Sequence, residues 1–209
     1  MPAAAQLWST LSTCEHHENL HKMLIFYLAP VLQKIKPSEL VVLRKDCLME
    51  SWLAQKEEIL GELELCCEEL HISANGIYLL FYDDEMLSSS LANKSCQNIL
   101  KCNDYQHTEC LHSLLQQLKS KMKQTLFPHE IGLFLGYPAH DVAAFIKFGG
   151  KNFYLCRHWK VYHDMENTSM KFRQIDEARS CAACILNEKI PLRNMIGFIK
   201  KHKFKQVVH

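Results

Sequence analysis

Asn75-Gly76-Ile77-Tyr78-Leu79-Leu80-Phe81-Tyr82 is the stretch on which the fold turns. Asn-Gly marks a turn, because both residues tolerate the backbone angles that tight hairpins need. The run from Ile77 to Tyr82 is continuous enough in apolar and aromatic residues to predict a buried strand. Upstream the pattern is helical: Leu48, Trp52, Ile59, Leu63, Cys67 and Leu70 recur on one face, with Glu57, Glu58, Glu62 and Glu64 mostly elsewhere, so a helix is expected over Leu48 to Leu70. Downstream, helices are expected over Ser88 to Lys101 and Thr108 to Gln124, the second carrying Leu111, Leu114, Leu115, Leu118 and Met122 as one stripe.

Moving outward, Ser9 to Lys36 predicts helix, with Pro30 starting a second helical segment, since proline fits a first turn and disrupts an interior. Leu40-Val41-Val42-Leu43 predicts a short strand. On the other side, Gly149-Gly150 predicts a turn and Asn152 to His163 a strand rich in aromatic and β-branched residues. Glu166 to Leu186 and Leu192 to Lys201 return to helix, split at Pro191. Strands lying between runs of helices, without regular βαβ alternation, point to an α+β fold: a small, mainly antiparallel sheet of about four strands packed with six to eight helices.

With 209 residues, 48% of them hydrophobic, only 7 glycines and 6 prolines, and no low-complexity stretch, residues 1–209 are expected to form a single domain. Lys and Arg number 24 against 23 Asp and Glu, a net charge of +1, so no global field draws the chain to nucleic acid or to an anionic membrane. The basic cluster Lys200-Lys201-His202-Lys203-Phe204-Lys205 is expected to be a frayed, solvated end. The start lacks a basic region followed by an apolar one, and the longest near-apolar run, Met23 to Leu32, is too short to span a bilayer. A cytoplasmic protein is therefore expected, and its 10 cysteines are expected to be reduced, mostly as small core residues. No Gly-rich phosphate loop is present, so no nucleotide cofactor is indicated, and no standard metal motif is found.

The segment that stands out chemically runs from Phe127 to Ile146: Phe-Pro-His-Glu-Ile-Gly-Leu-Phe-Leu-Gly-Tyr-Pro-Ala-His-Asp-Val-Ala-Ala-Phe-Ile. Each half opens with a proline followed by an acid, Pro128 with Glu130 and Pro138 with Asp141, which sets a carboxylate near the positive end of a short helix. Gly136 can supply the positive φ that ends the first helix, so the whole predicts helix, tight corner, helix.

His-Glu-Ile-Gly, Leu-Gly-Tyr-Pro, Asp-Val and Phe-Ile in that order, with Trp159-Lys160-Val161-Tyr162 downstream and Ala29-Pro30-Val31-Leu32 upstream, closely resemble the family known as domain of unknown function 3793, from anaerobic Gram-positive bacteria. The resemblance spans roughly Leu24 to Ile196 in scattered blocks and brings no established activity with it. Members often carry Cys-Ala-Pro-Thr where this chain has Leu28-Ala29-Pro30-Val31. A cysteine just before a proline-started helix would have its thiolate favoured by the helix dipole, so the resemblance allows a Cys-His hydrolase or transferase with His129 as base, whose thiol position is occupied here by Leu28. The plainer reading is a family core cysteine that Leu28 replaces.

The resemblance puts candidate site residues in two places. His129, Glu130 and Lys160 are the candidates for catalysis, and Tyr137, Asp141, Trp159 and Tyr162 for ligand binding. Against this stands a purely structural alternative in which cap chemistry explains the acid positions, with Glu130 satisfying first-turn amide groups, His129 hydrogen-bonded at the sheet edge and Tyr137 anchoring the corner. Cys102, His107, Cys110 and His112 are zinc-type ligands at a spacing that matches no common module, and the plainer expectation is a loop entering a helix with Cys110 partly buried. Cys181 and Cys184 have Cys-x-x-Cys spacing but fall inside a predicted helix, which leaves them weak candidates for metal or redox chemistry. The functional expectation is a domain binding an unknown small molecule or protein through the His129 to Asp141 corner and the Trp159 to Tyr162 strand, with no nucleic acid and no membrane as partner. The alternatives are an acid–base enzyme and a thiol or metal protein.

Overall fold

The computed structural model describes residues 16–44, 47–74, 76–125, 127–188 and 190–201. In chain order these form α1 (His16–Leu32), β1 (Ser38–Arg44), α2 (Cys47–Leu63), β2 (Cys66–Ser73), β3 (Gly76–Tyr82), α3 (Asp84–Leu91), α4 (Lys94–Cys102), α5 (Leu111–Gln124), α6 (Ile131–Phe134), α7 (Ala139–Phe148), β4 (Leu155–Cys156), β5 (Lys160–Val161), α8 (Met165–Leu186) and α9 (Leu192–Lys201). The fold is α+β, as expected, with an antiparallel sheet in the order β1-β3-β2 and a separate antiparallel ribbon of β4 and β5. Among the described residues no helix is long and apolar enough to cross a membrane. Residues 9–15, Asn75 and the tail 202–209, on which parts of the expected first helix, hairpin turn and basic end fall, lie outside the described residues.

The continuous apolar run of β3 has a direct cause: both its faces are covered. Ile77, Leu79 and Phe81 enter one core with α1, α2, α8 and α9, built around Leu24, Leu28, Trp52, Ile59 and Ala182. Leu80 enters a second core with α3 to α7, built around Leu91, Leu100, Leu118 and Phe134, with Tyr78 and Tyr82 packed against it. Side chains alternate across a strand, so a central strand under two helical layers needs apolar residues at every position.

Several expected boundaries move. The helix expected to Leu70 ends at Leu63, where Glu64 takes φ 55°, and the chain returns as β2. The ladder slips between Glu69 and His71, a bulge at the fully buried Leu70, and Cys67 and Leu70, though spaced as on a helix, pack into opposite cores from β2. The helix expected over Ser88 to Lys101 begins at Asp84 and is two helices, with Asp83 accepting from Met86 N at 2.9 Å and Asn93 from Ser95 N at 2.9 Å as separate N-caps. The helix expected from Thr108 starts at Leu111, and Cys110 is exposed rather than partly buried. Pro30 starts nothing: it lies within α1, which continues to Leu32. The strand expected over Asn152 to His163 folds back on itself, so that Leu155 faces Val161 and Cys156 faces Lys160.

The corner comes out as expected. Gly136 has φ 72° between α6 and α7, and Tyr137 N donates to Gly132 O at 2.9 Å to close the first helix. It docks on the entry to β1: a Cβ at Gly136 would stand 2.4 Å from Pro37 Cδ, and the buried Ser38 hydroxyl donates to the Phe134 carbonyl. Gly149 and Gly150, at φ 58° and 74°, end α7 and turn the chain toward the ribbon, as expected of that pair.

Candidate functional site

Asp141 lies in the first turn of α7, but its carboxylate does not cap that helix. It is buried, and its oxygens accept from the ribbon: Oδ2 from Trp159 Nε1 at 3.0 Å, Oδ1 from Tyr162 N at 2.8 Å and from His163 N at 3.2 Å. Three N–H donors on one buried carboxylate lock β5 against α7. The Trp159 ring, so placed, stacks on Tyr137 at 4.9 Å and meets the edge of Phe172 from α8 at 4.5 Å, forming a third apolar cluster with Val161 and Ile175.

Between corner and ribbon this leaves a cavity of about 300 Å³. Its apolar wall includes Ile131, Val142, Phe145, Tyr137 and Trp159, and its polar lining includes His129, Arg157, His158 and Lys160 beside Asp141. His129 is exposed and presents its ring to Phe145 at 5.1 Å. Lys160 donates to Gly150 O at 2.8 Å and lies over the Phe153 ring at 4.8 Å. Arg157 and His158 both engage Asp176 of α8, at 2.6 and 2.9 Å. Burial holds the His158 imidazole below its ordinary range despite that carboxylate, with the charges of Arg179 and Lys36 acting the same way.

Behind the Tyr137 wall, Lys36 and Arg179 share the Glu39 carboxylate at 3.0 and 2.9 Å. The Lys36 ammonium also lies 5.7 Å from the centre of the Tyr137 ring. Burial pushes the Tyr137 phenol up to about 12, Glu39 adding to the rise and Arg179 opposing it. Burial likewise lowers Lys36, against the pull of Glu39. This cluster had no sequence signal, since Glu39 and Arg179 stand 140 positions apart.

Of the seven residues singled out from the sequence, His129, Tyr137, Asp141, Trp159 and Lys160 line this one cavity, and Glu130 and Tyr162 do not. Glu130 is buried on the far side of its turn, 3.6 Å from Lys121 and close enough to Tyr105 to push that phenol's pKa up beyond the effect of burial. Tyr162 contributes its backbone N–H to Asp141, while its ring stacks with Phe148 at 6.1 Å. Neither Glu130 nor Asp141 caps its own helix, so helix capping does not explain these acids. Arg157, His158 and Phe145 were missed; the hairpin that brings the first two round depends on a fold-back with no glycine or proline in it.

Position 28 is not at a helix start. Leu28 is fully buried four residues before the end of α1, in the first core, where the dipole would disfavour a thiolate. Cys181 and Cys184 lie late in α8, and burial, then Cys184, pushes the Cys181 thiol up, away from nucleophilic character. Cys102, His107, Cys110 and His112 are all exposed, on and around the loop between α4 and α5.

No curated protein and no solved structure matches this chain. A family model described as "Protein of unknown function (DUF3793)" matches residues 24–203, which takes in both helical layers, the sheet, the corner and the ribbon. The chain therefore belongs to the DUF3793 family.

Proposed function

We propose that this chain is a cytoplasmic binding protein of an anaerobic bacterium, taking a small organic acid with a flat apolar body into the cavity between the α6–α7 corner and the β4–β5 ribbon. The observation that carries the reading is the convergence of His129, Tyr137, Trp159 and Lys160 on one cavity of about 300 Å³. Small-ligand sites run from roughly 300 to 1,000 Å³ and combine an apolar lining with a few placed polar groups. The aromatic wall suits a flat apolar body, and the basic side chains in the lining suit a carboxylate or phosphate.

Binding is favoured over acid–base catalysis because Glu130 faces away from the cavity and Lys160 donates to a backbone carbonyl. The test is calorimetric titration of a series of aromatic carboxylates into the full chain. His129→Ala and Lys160→Ala should each weaken the best binder about tenfold, equivalent to about 1.4 kcal/mol, whereas Tyr162→Phe should leave it unchanged. A binder indifferent to both cavity substitutions, or turnover of a bound acid that depends on His129, would overturn the reading.

A further inference from the structure

Asp141 has a second neighbourhood on the side away from Trp159. His140 Nε2 and His163 Nδ1 each lie 3.8 Å from its Oδ1, the two imidazole rings are 5.2 Å apart, and one ligand atom from each of the three residues falls within 4.8 Å of the others. Both imidazoles are exposed while the carboxylate is buried. Among the described residues no Lys or Arg pairs with Asp141, whose neighbours are three N–H donors and these two rings.

The geometry points to a surface site for a divalent transition-metal ion, held by His140, His163 and Asp141 Oδ1. Donor atoms around a four-coordinate ion with bonds of about 2.0–2.1 Å stand a little over 3 Å apart, so side-chain rotations that carry each imidazole nitrogen by less than about 1 Å close the site. The ligand types, two imidazoles and one carboxylate, suit zinc, cobalt, nickel or iron and not calcium or magnesium. Ligating carboxylates are typically held in place by further hydrogen bonds, and here the Tyr162 amide and the Trp159 indole already do this. His163 N, the longest of the three bonds at 3.2 Å, is the one that can yield as its imidazole swings onto the ion. The remaining coordination positions face solvent, where water or an anionic group could bind. Because Asp141 Oδ2 holds Trp159, an ion on Oδ1 would brace the Trp159 wall of the cavity through that carboxylate.

The test is cobalt(II) titration of the full chain after chelator treatment, read by absorption. Expected is one ion per chain with visible d–d bands and no thiolate charge-transfer band in the near ultraviolet, affinity falling at least tenfold in both His140→Ala and His163→Ala, and no change in Cys181→Ser/Cys184→Ser. Both histidines are exposed, so the variants should fold, and circular dichroism confirms it. Absence of saturable binding, a thiolate band, or equal affinity in the histidine variants would overturn the proposal. Running the cavity titrations with chelator present keeps their outcome separate from these.

Discussion

Replacing Asp141 with Ala would remove at once the acceptor for the Trp159 indole and the Tyr162 and His163 amides. A buried donor left without a partner costs about 1–3 kcal/mol, and relaxation toward water should spare part of it. The expected loss is about 2–5 kcal/mol by denaturant unfolding, with Asp141→Asn less harmful because its amide keeps one acceptor oxygen; a loss under about 1 kcal/mol would mean the ribbon is held by apolar contact alone. At this scale the sequence singled out residues that the fold brings together better than it showed where each one points. Asp141, Tyr137 and Trp159 were singled out from the motif, but the facing of Glu130 and Tyr162 depends on a four-residue helix that follows the one and a two-residue strand that precedes the other. Half a turn or one register step there reverses a side chain.

Corner and ribbon are the elements that make the cavity, and each offers its own test. A side chain at Gly136 meets both an unfavourable φ of 72° and the Pro37 ring. Gly136→Val should therefore destabilise by more than the ~1 kcal/mol of a typical substitution, because a β-branched residue is strained in the left-handed region and Pro37 cannot swing aside. Thermal melts of Gly136→Val and wild type differing by no more than a surface substitution would contradict this.

The ribbon is fastened to α8 through His158, whose imidazole is held below 6.5 mainly by burial. With the folded value lowered, the unfolded chain binds the extra proton first as pH falls below 6.5, so stability is fully present above that value and is lost as pH falls through the folded one. Unfolding free energies measured just above and below pH 6.5 should show a steeper decline on acidification in wild type than in His158→Gln; equal slopes would remove His158 from the account. Elements that obey simple periodicity, such as β3 and α8, were legible. The end of α2 was not, because Glu64 reaches positive φ without glycine and Cys67 and Leu70 of β2, which enter opposite cores, happen to continue the helical spacing.

At the scale of the whole molecule, the α+β class followed from strands set among helical runs, and the double burial of β3 explains its unbroken apolar sequence. What sequence could not show is that α1 and α8 pack together over one face, leaving α8 to receive the ribbon from the side of the other. The cavity exists only because three distant segments, the corner, the ribbon and α8, meet around Trp159. On the function proposed above, this meeting point receives a small acidic ligand. Two-dimensional proton–nitrogen NMR of the full chain, titrated with the best aromatic carboxylate found by calorimetry, tests it most directly. Saturable shifts centred on the Trp159 indole N–H and on the amides of Gly132, Tyr137 and Lys160 are expected. Shifts centred on another face of the molecule, with the Trp159 indole signal unmoved, would contradict the claim.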